Sequence, residues 1–593
     1  MRSAVHGNQV LAALTTLTLA CANNATRDPG ADPLDDGGLH VDTGGFDAEG
    51  PPPIECDKCT DFPAGPIVDG PSVPANAKDL FGAAGTGNPS GGPCLVEPEA
   101  NSLFPMNWAR PRFHFIAPPG QTLFEIRLHA TREVNDMVVY TTSTTWTMPK
   151  ELWMPLSSHV LDEPITMTIR GVAATGGTPS VGTSAPMTIA PVKASGSMVY
   201  WSTIGLETTD TNSKLQGFGV GDESVVDALT VPQVQMKVRG DEPATGGADG
   251  TFKPVRCIGC HTSTPDGKYA AFTAQWPWPN ALASIEKDTV GKQPDFITPS
   301  GISVLSPFRG FASGAQPVQK MLGIQAFSQA HWKAGDRIDV GVFGSARKDG
   351  AATGVVAQLA WFDLEATSDA EGTGFGFFAR TGDARSAAAP AWSHDGEKIV
   401  YVSTDGGAED GRLGTGPSDL FSIPFASRKG GAATPIPGAA DPGFDEYYPA
   451  FSADDQLLAY NRVASGTPMY NQPAAEVFVI PTAGGTPTRL VANDSPACSG
   501  QKSPGAHNSW PKWSPESLTI AGKTYHWLIF SSHREDQYVK GASADKAQLY
   551  MTGVVVEAGK ITTFGAVYLW NQPSDISNRT PAWDVFKIPS VIK

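Results

Sequence analysis

The stretch PAWSHDGEKIVYV, residues 390–402, sets a Pro, an aromatic, a Ser and an Asp-Gly pair ahead of an alternating apolar run. Asp395-Gly396 suits a tight turn, since Gly takes positive φ without steric cost. The run after it is rich in β-branched and aromatic residues and reads as a strand. YPAFSADDQLLAY, residues 448–460, repeats the pattern, and looser copies occur at CHTSTPDGKYAAF (260–272), FSQAHWKAGDRIDVGVF (327–343), WPKWSPESLTIAGKTYHWLIFSS (510–532) and TPAWDVF (580–586). The Ser positions are 263, 328, 393, 452 and 514, with Asp584 in the sixth place, so successive spacings are 65, 65, 59, 62 and 70 residues. A recurrence of this kind marks a propeller or solenoid array.

Each unit carries a further pair of strand signals, such as DLFSIPF (419–425), EVFVIPTAGGTPTRLV (476–491) and QLYMTGVVVEAGKITTF (548–564). Four strands per unit make a propeller blade. The sixth unit ends after one strand, and SMVYWSTI (197–204), SKLQGFGV (213–220) and SVVDALTV (224–231) are the three segments available to complete it. Six blades are expected, closed by pairing of N- and C-terminal strands, which removes free sheet edges.

The two best-matched repeats, 390–402 and 448–460, resemble those of TolB-type β-propellers, and the similarity recurs over residues 257–593. It is looser at Ser328, where QAHWKAGD lengthens the turn. The resemblance implies a rigid disc over residues 196–593 that binds proteins, sugars or peptides, or gates a catalytic domain.

Ahead of it, RFHFIAP, LFEIRLHA, DMVVYTTST, ITMTIRGVAA and APMTIAP alternate with period two between Pro and Gly turns. An antiparallel Ig-like or fibronectin-like β-sandwich of about seven strands is expected over 103–195. The fold class is therefore all-β. Residues 56–102 form a Cys-containing lead-in, and 22–55 an acidic Gly- and Pro-rich linker too poor in apolar surface to order itself. Its Asp clusters lack the regular spacing of a calcium loop.

Residues 1–21 have the layout of a secretory signal, with Arg2 before an apolar run from Val10 to Ala20. Cys21 follows in a partial likeness to a bacterial lipobox, with Thr18 and Leu19 departing from the usual residues. Export is expected, to the periplasm or to the outer membrane or cell surface as a lipoprotein acylated on Cys21, and as a monomer. Simple secretion is the alternative. No later run is long and apolar enough to span a bilayer as a helix. The charge of -17, from 43 basic and 60 acidic residues, disfavours nucleic acid as a partner.

The chemistry-bearing motif is Cys257-Ile-Gly-Cys260-His261. Two thiols separated by two residues, with His immediately after, is the c-type haem attachment pattern, in which the His ligates the iron. Cys257, Cys260 and His261 are thus the expected haem c site, in an envelope electron-transfer, redox or sensing protein that docks an envelope or redox partner. His507, which opens the fifth repeat as His261 opens the first, is a candidate distal ligand; Met236, His331 and His533 are weaker ones. The competing reading is a non-redox scaffold for a protein or polymer, with Cys257-Cys260 a structural disulfide. Cys56, Cys59, Cys94 and Cys498 are expected to form disulfides among themselves, Cys94 with Cys56 or Cys59 being the attractive pairing, while Cys56-x-x-Cys59 could also be a redox pair. No G-x-S-x-G occurs, so a serine hydrolase reading has no nucleophile.

Overall fold

The computed structural model describes residues 56–204, 213–241, 248–307, 318–347, 353–405, 416–534 and 546–588. Cys21, the export segment and the acidic linker lie outside these residues. Short strands joined by Gly and Asp turns dominate, and the longest helix among the described residues is Lys150–His159.

Six sheets carry the repeats. Their first strands are His261–Ser263, Val318–Ala326, Ser386–Trp392, Phe444–Phe451, Ser509–Trp513 and Ser577–Asp584. Each pairs antiparallel with the next strand of its own sheet. These first strands touch in cyclic order, the last packing on the fifth and on the first. The arrangement is propeller-like. In the sixth sheet, Ser577–Asp584 pairs with Ser197–Thr203, followed outward by Ser213–Gly219 and Val226–Thr230. The first sheet has three strands where four were expected. A hairpin of Lys237–Asp241 and Ala248–Pro254, absent from the repeat pattern, precedes it.

The turns show why the repeat reads as it does. Ser393 Oγ donates to Asp395 Oδ1 at 2.6 Å and accepts from Lys398 N at 3.0 Å; Ser452, Asp454 and Leu457 repeat this at 2.6 and 2.9 Å. In the first sheet the equivalent is Thr264, which donates to Asp266 Oδ1 at 2.7 Å and accepts from Tyr269 N. The alignment on Ser263 is therefore shifted by one residue, because Thr264 supplies the same hydroxyl. Gly396 has φ +81, and a Cβ there would lie 2.5 Å from His331 Cδ2, so the turn packs too closely on the second sheet for another residue.

Adjacent sheets are tied at these turns. Ser328 Oγ and Ala330 N donate to His394 O, and His394 N and Asp395 N donate to Asp455. Between sheets the apolar faces are dry, as at Val400, Val402, Leu420, Leu458 and Ile480, each worth about 1.5–3 kcal/mol on burial.

Residues 67–190 form two more sheets over one core, with Phe115 and Phe124 rings 4.8 Å apart. They differ from the expected Ig-like sheets in two ways. Ile67–Asp69 pairs parallel with Met137–Thr141, and Ala185–Ala190 parallel with Ser102–Pro105. The helix Lys150–His159 covers one side, burying Trp153 and Leu156. The lead-in 56–102 is no separate segment, since Ile67–Asp69, Cys94–Glu97 and Ser102–Pro105 all enter these sheets.

This unit shares its core with the fifth and sixth repeat sheets through Leu103, Trp108, Tyr200, Trp527, Met551 and Trp583. Glu99 and Arg534 form a buried ion pair across the junction. Cys94 is bonded to Cys498, and Cys56 to Cys59. The expected pairing of Cys94 with Cys56 or Cys59 does not form, because strand Cys94–Glu97 lies beside the loop that carries Cys498. Cys56-Cys59 is oxidised and closes a short lead-in turn.

Candidate functional site: a channel along the six inner strands

The inner strands surround a channel of about 250 Å³ to which all six sheets contribute. Its wall begins at a register break holding a non-glycine residue at positive φ, a combination repeated in four of them. Ladder register breaks between Ala388 and Ala391, Tyr447 and Ala450, Ser509 and Lys512, and Arg579 and Ala582. Inside each break a non-glycine residue has positive φ: Ala389 at 40°, Tyr448 at 53°, Trp510 at 55° and Thr580 at 42°. Each costs on the order of 1–3 kcal/mol, a strain held only where the surroundings over-determine it. Such bulges re-aim side chains, and here Ala389, Tyr448 and Trp510 line the channel.

The bulge residue always stands before the repeat Pro, as in Ala389-Pro390, Tyr448-Pro449, Trp510-Pro511 and Thr580-Pro581. Sequence reasoning missed these residues, though their position was visible in the alignment. In the first sheet the corresponding pair is Cys260-His261, so Cys260 occupies the channel-lining position. Trp278, Tyr448, Tyr470 and Trp510 give the channel an aromatic wall, with Tyr448 stacked on Trp510 at 5.9 Å and Tyr470 edge-on to it at 6.2 Å. Lys320, Lys512, His394 and Asp584 are its charged or titratable lining groups, besides the Cys260 thiol.

Cys260 is a free thiol, and burial holds its pKa up at about 11, so the neutral form prevails. Cys260 is not bonded to Cys257. The disulfide Cys257-Cys260 expected in the scaffold reading is therefore not formed. His261 begins the inner strand, is buried, and turns away from the channel. Its Nε2 donates to Val199 O at 3.1 Å, its ring lies 6.5 Å from Phe586, and Nδ1 has no hydrogen-bond partner among the described residues. Burial pulls its pKa down to about 4, so the imidazole is neutral. In this arrangement the Cys260 thiol lies at the channel while the His261 imidazole is held in the core against Val199.

The remaining candidates are spread out. His507 is buried and stacks on His533 at 4.2 Å and on Trp510 at 5.8 Å, which brings it behind the channel's aromatic wall. Burial, with His533 beside it, holds it well below the usual imidazole range. His331 is packed between Trp392 and Phe425, with Nδ1 2.8 Å from Asp336. Met236 is core, its sulfur accepting from Leu282 N. Cys59, Asp61 and Glu133 cluster within 4.8 Å, but the disulfide removes the thiolate a metal would want.

No protein-family model matches the chain, and no curated protein matches it. Solved structures that resemble it include a chain of the nidogen/laminin complex, at 8% identity and TM-score 0.31, over 65% of this chain and 98% of that one. Another is the dihydro-haem d1 dehydrogenase NirN in complex with DHE, at 11% identity and TM-score 0.23, over 81% and 80%. A third is Kuenenia stuttgartiensis hydrazine synthase, at 12% identity and TM-score 0.26, over 60% and 94%. At these scores no residue role transfers.

Proposed function

We propose that the chain is an exported cell-envelope binding protein, a six-bladed TolB-like propeller closed by pairing of its terminal strands, with an Ig-like or fibronectin-like sandwich docked on its side. Its ligand site is the central channel. One observation carries the reading: inner strands of all six sheets build one cavity with an aromatic wall, held by strained residues that a purely structural ring would not need. Acylation of Cys21 would place the disc at a membrane surface.

Ala389→Trp tests the site. Trp510 already adopts φ 55° at the equivalent position, so the backbone accepts the residue while the indole fills the channel. Binding of the neutral fluorophore phenylnaphthylamine is expected to weaken at least about tenfold, a change of about 1.4 kcal/mol. Equal binding by both proteins would sink the channel reading.

The C-x-x-C-H pentapeptide supports a second reading, covalent haem c on Cys257 and Cys260 with His261 on the iron and His507 as distal ligand. It requires His261 to exchange Val199 O for the metal. A pyridine haemochrome spectrum of protein made alongside c-type maturation machinery decides between them: bound haem favours this reading, and its absence leaves the scaffold.

A further inference from the structure

Among the residues lining the channel, Asp584 is the one carboxylate, and it accepts a hydrogen bond from Ser263 Oγ. Three cationic or titratable bases share the wall. His394 is committed to Asp455 at 2.7 Å, and the Lys320 ammonium lies 4.7 Å from the centroid of the Trp278 ring. Lys512 is different. It follows the Trp510-Pro511 bulge and lines the channel, yet among the described residues its ammonium makes no hydrogen bond or ion pair. Asp584 acts on it only through space, and burial holds its pKa below the usual lysine value. A half-buried ammonium with no direct ion pair is incompletely compensated, and an arriving anion relieves that cost.

The rest of the wall restricts what the anion is attached to. Trp278, Tyr448, Tyr470 and Trp510 supply aromatic surface to the channel, and Pro390, Pro449 and Pro511 further apolar surface. The lining amides are Gln325 and Gln329, and Gln325 already donates to Asp339 at 3.0 Å. A sugar would need a denser set of carboxylates and amides than this. Flat apolar groups stack well on such rings, and the volume admits only a compact molecule.

Resting on the channel reading above, we propose that the ligand is a compact, planar, largely apolar molecule with one anionic group, and that Lys512 is the residue that meets the anion. Fluorescence titration with anilinonaphthalene sulfonate and with phenylnaphthylamine, which shares the arene but lacks the sulfonate, tests this on the full chain. Lys512→Met is expected to weaken the sulfonate at least about tenfold, the loss of one charge-assisted bond, and to leave the neutral probe unchanged. Lys512→Arg restores sulfonate binding, which a misfolded variant would not. Equal sulfonate affinity in wild type and Lys512→Met overturns the assignment to Lys512 while the channel reading stands. Failure of both probes to bind wild type overturns the channel reading and this inference together.

Discussion

Ser263 Oγ donates to Asp584 Oδ2 across 321 residues of sequence, joining the inner strand of the first repeat sheet to that of the last. Beside it, Gly267 at φ +70 lies so close to Val585 O that a Cβ would collide with that carbonyl, and Lys587 N donates to Gly267 O. Here the two ends of the repeat region meet. Ser263→Ala is expected to cost about 1–3 kcal/mol, since it leaves a half-buried carboxylate short of a donor, and to lower the melting temperature. Gly267→Ala is expected to cost more, because backbone rather than a side chain must move. Differential scanning calorimetry ranks the two, and a neutral Gly267→Ala would contradict the close approach.

The Cys94-Cys498 bond closes a loop of sequence separation 404 and holds the lead-in strand against the fifth sheet. A disulfide of this kind typically contributes about 2–4 kcal/mol. Cys498→Ser should lower the denaturant midpoint correspondingly, whereas Cys56→Ser, which opens a separation of 3, should change it little. Equal effects in guanidinium unfolding would show that the long loop is not the constraint.

His394 gives a pH signature. Burial pulls its pKa down, but the hydrogen bond and charge of Asp455 outweigh burial and raise it above the ordinary value. A raised folded-state pKa means the stabilisation is full below the unfolded value of about 6.5 and is lost as pH rises through the folded one. Urea midpoints taken from pH 6 upward should therefore fall more steeply in wild type than in His394→Gln. Parallel curves would rule the pair out as the titrating element.

Asp339 behaves oppositely to an ordinary surface acid. It is fully buried, and burial raises its pKa to about 8 against the opposing hydrogen bonds from Gln325 and Ala326. The folded state holds the proton more tightly than the unfolded chain, so stability declines as pH rises from about 4 to about 8. Asp339→Asn should match wild type near pH 5 and exceed it at pH 9, as read by thermal melts. A variant less stable at pH 9 would show that the carboxylate is needed in ionised form.

The repeat was legible because each unit must turn at the same place: Ser393-x-Asp395-Gly396 and Ser452-x-Asp454 form the same hydrogen-bonded turn. The register in the first unit was misread because Thr264 and Ser263 offer the same hydroxyl, and only the contacts show that Thr264 holds the turn while Ser263 bonds Asp584. The bulges were hidden for another reason. A residue before Pro favours extended backbone, so nothing local announces that Tyr448 or Trp510 takes positive φ.

The sequence by itself determined a mostly β chain, the sixfold recurrence, and the three strands from Ser197 to Thr230 that join Ser577–Asp584, because alternation and turn chemistry act within a few residues. It also marked Cys257, Cys260 and His261 as chemically unusual. Tertiary structure decided where they sit: Cys260 at the channel lining, His261 turned into the core against Val199, and Cys94 beside Cys498 rather than Cys56 or Cys59. It likewise left Lys512 at the channel with no direct ion pair among the described residues. Such facts depend on which distant strands become neighbours, and that is fixed by packing across the whole ring rather than by any local pattern.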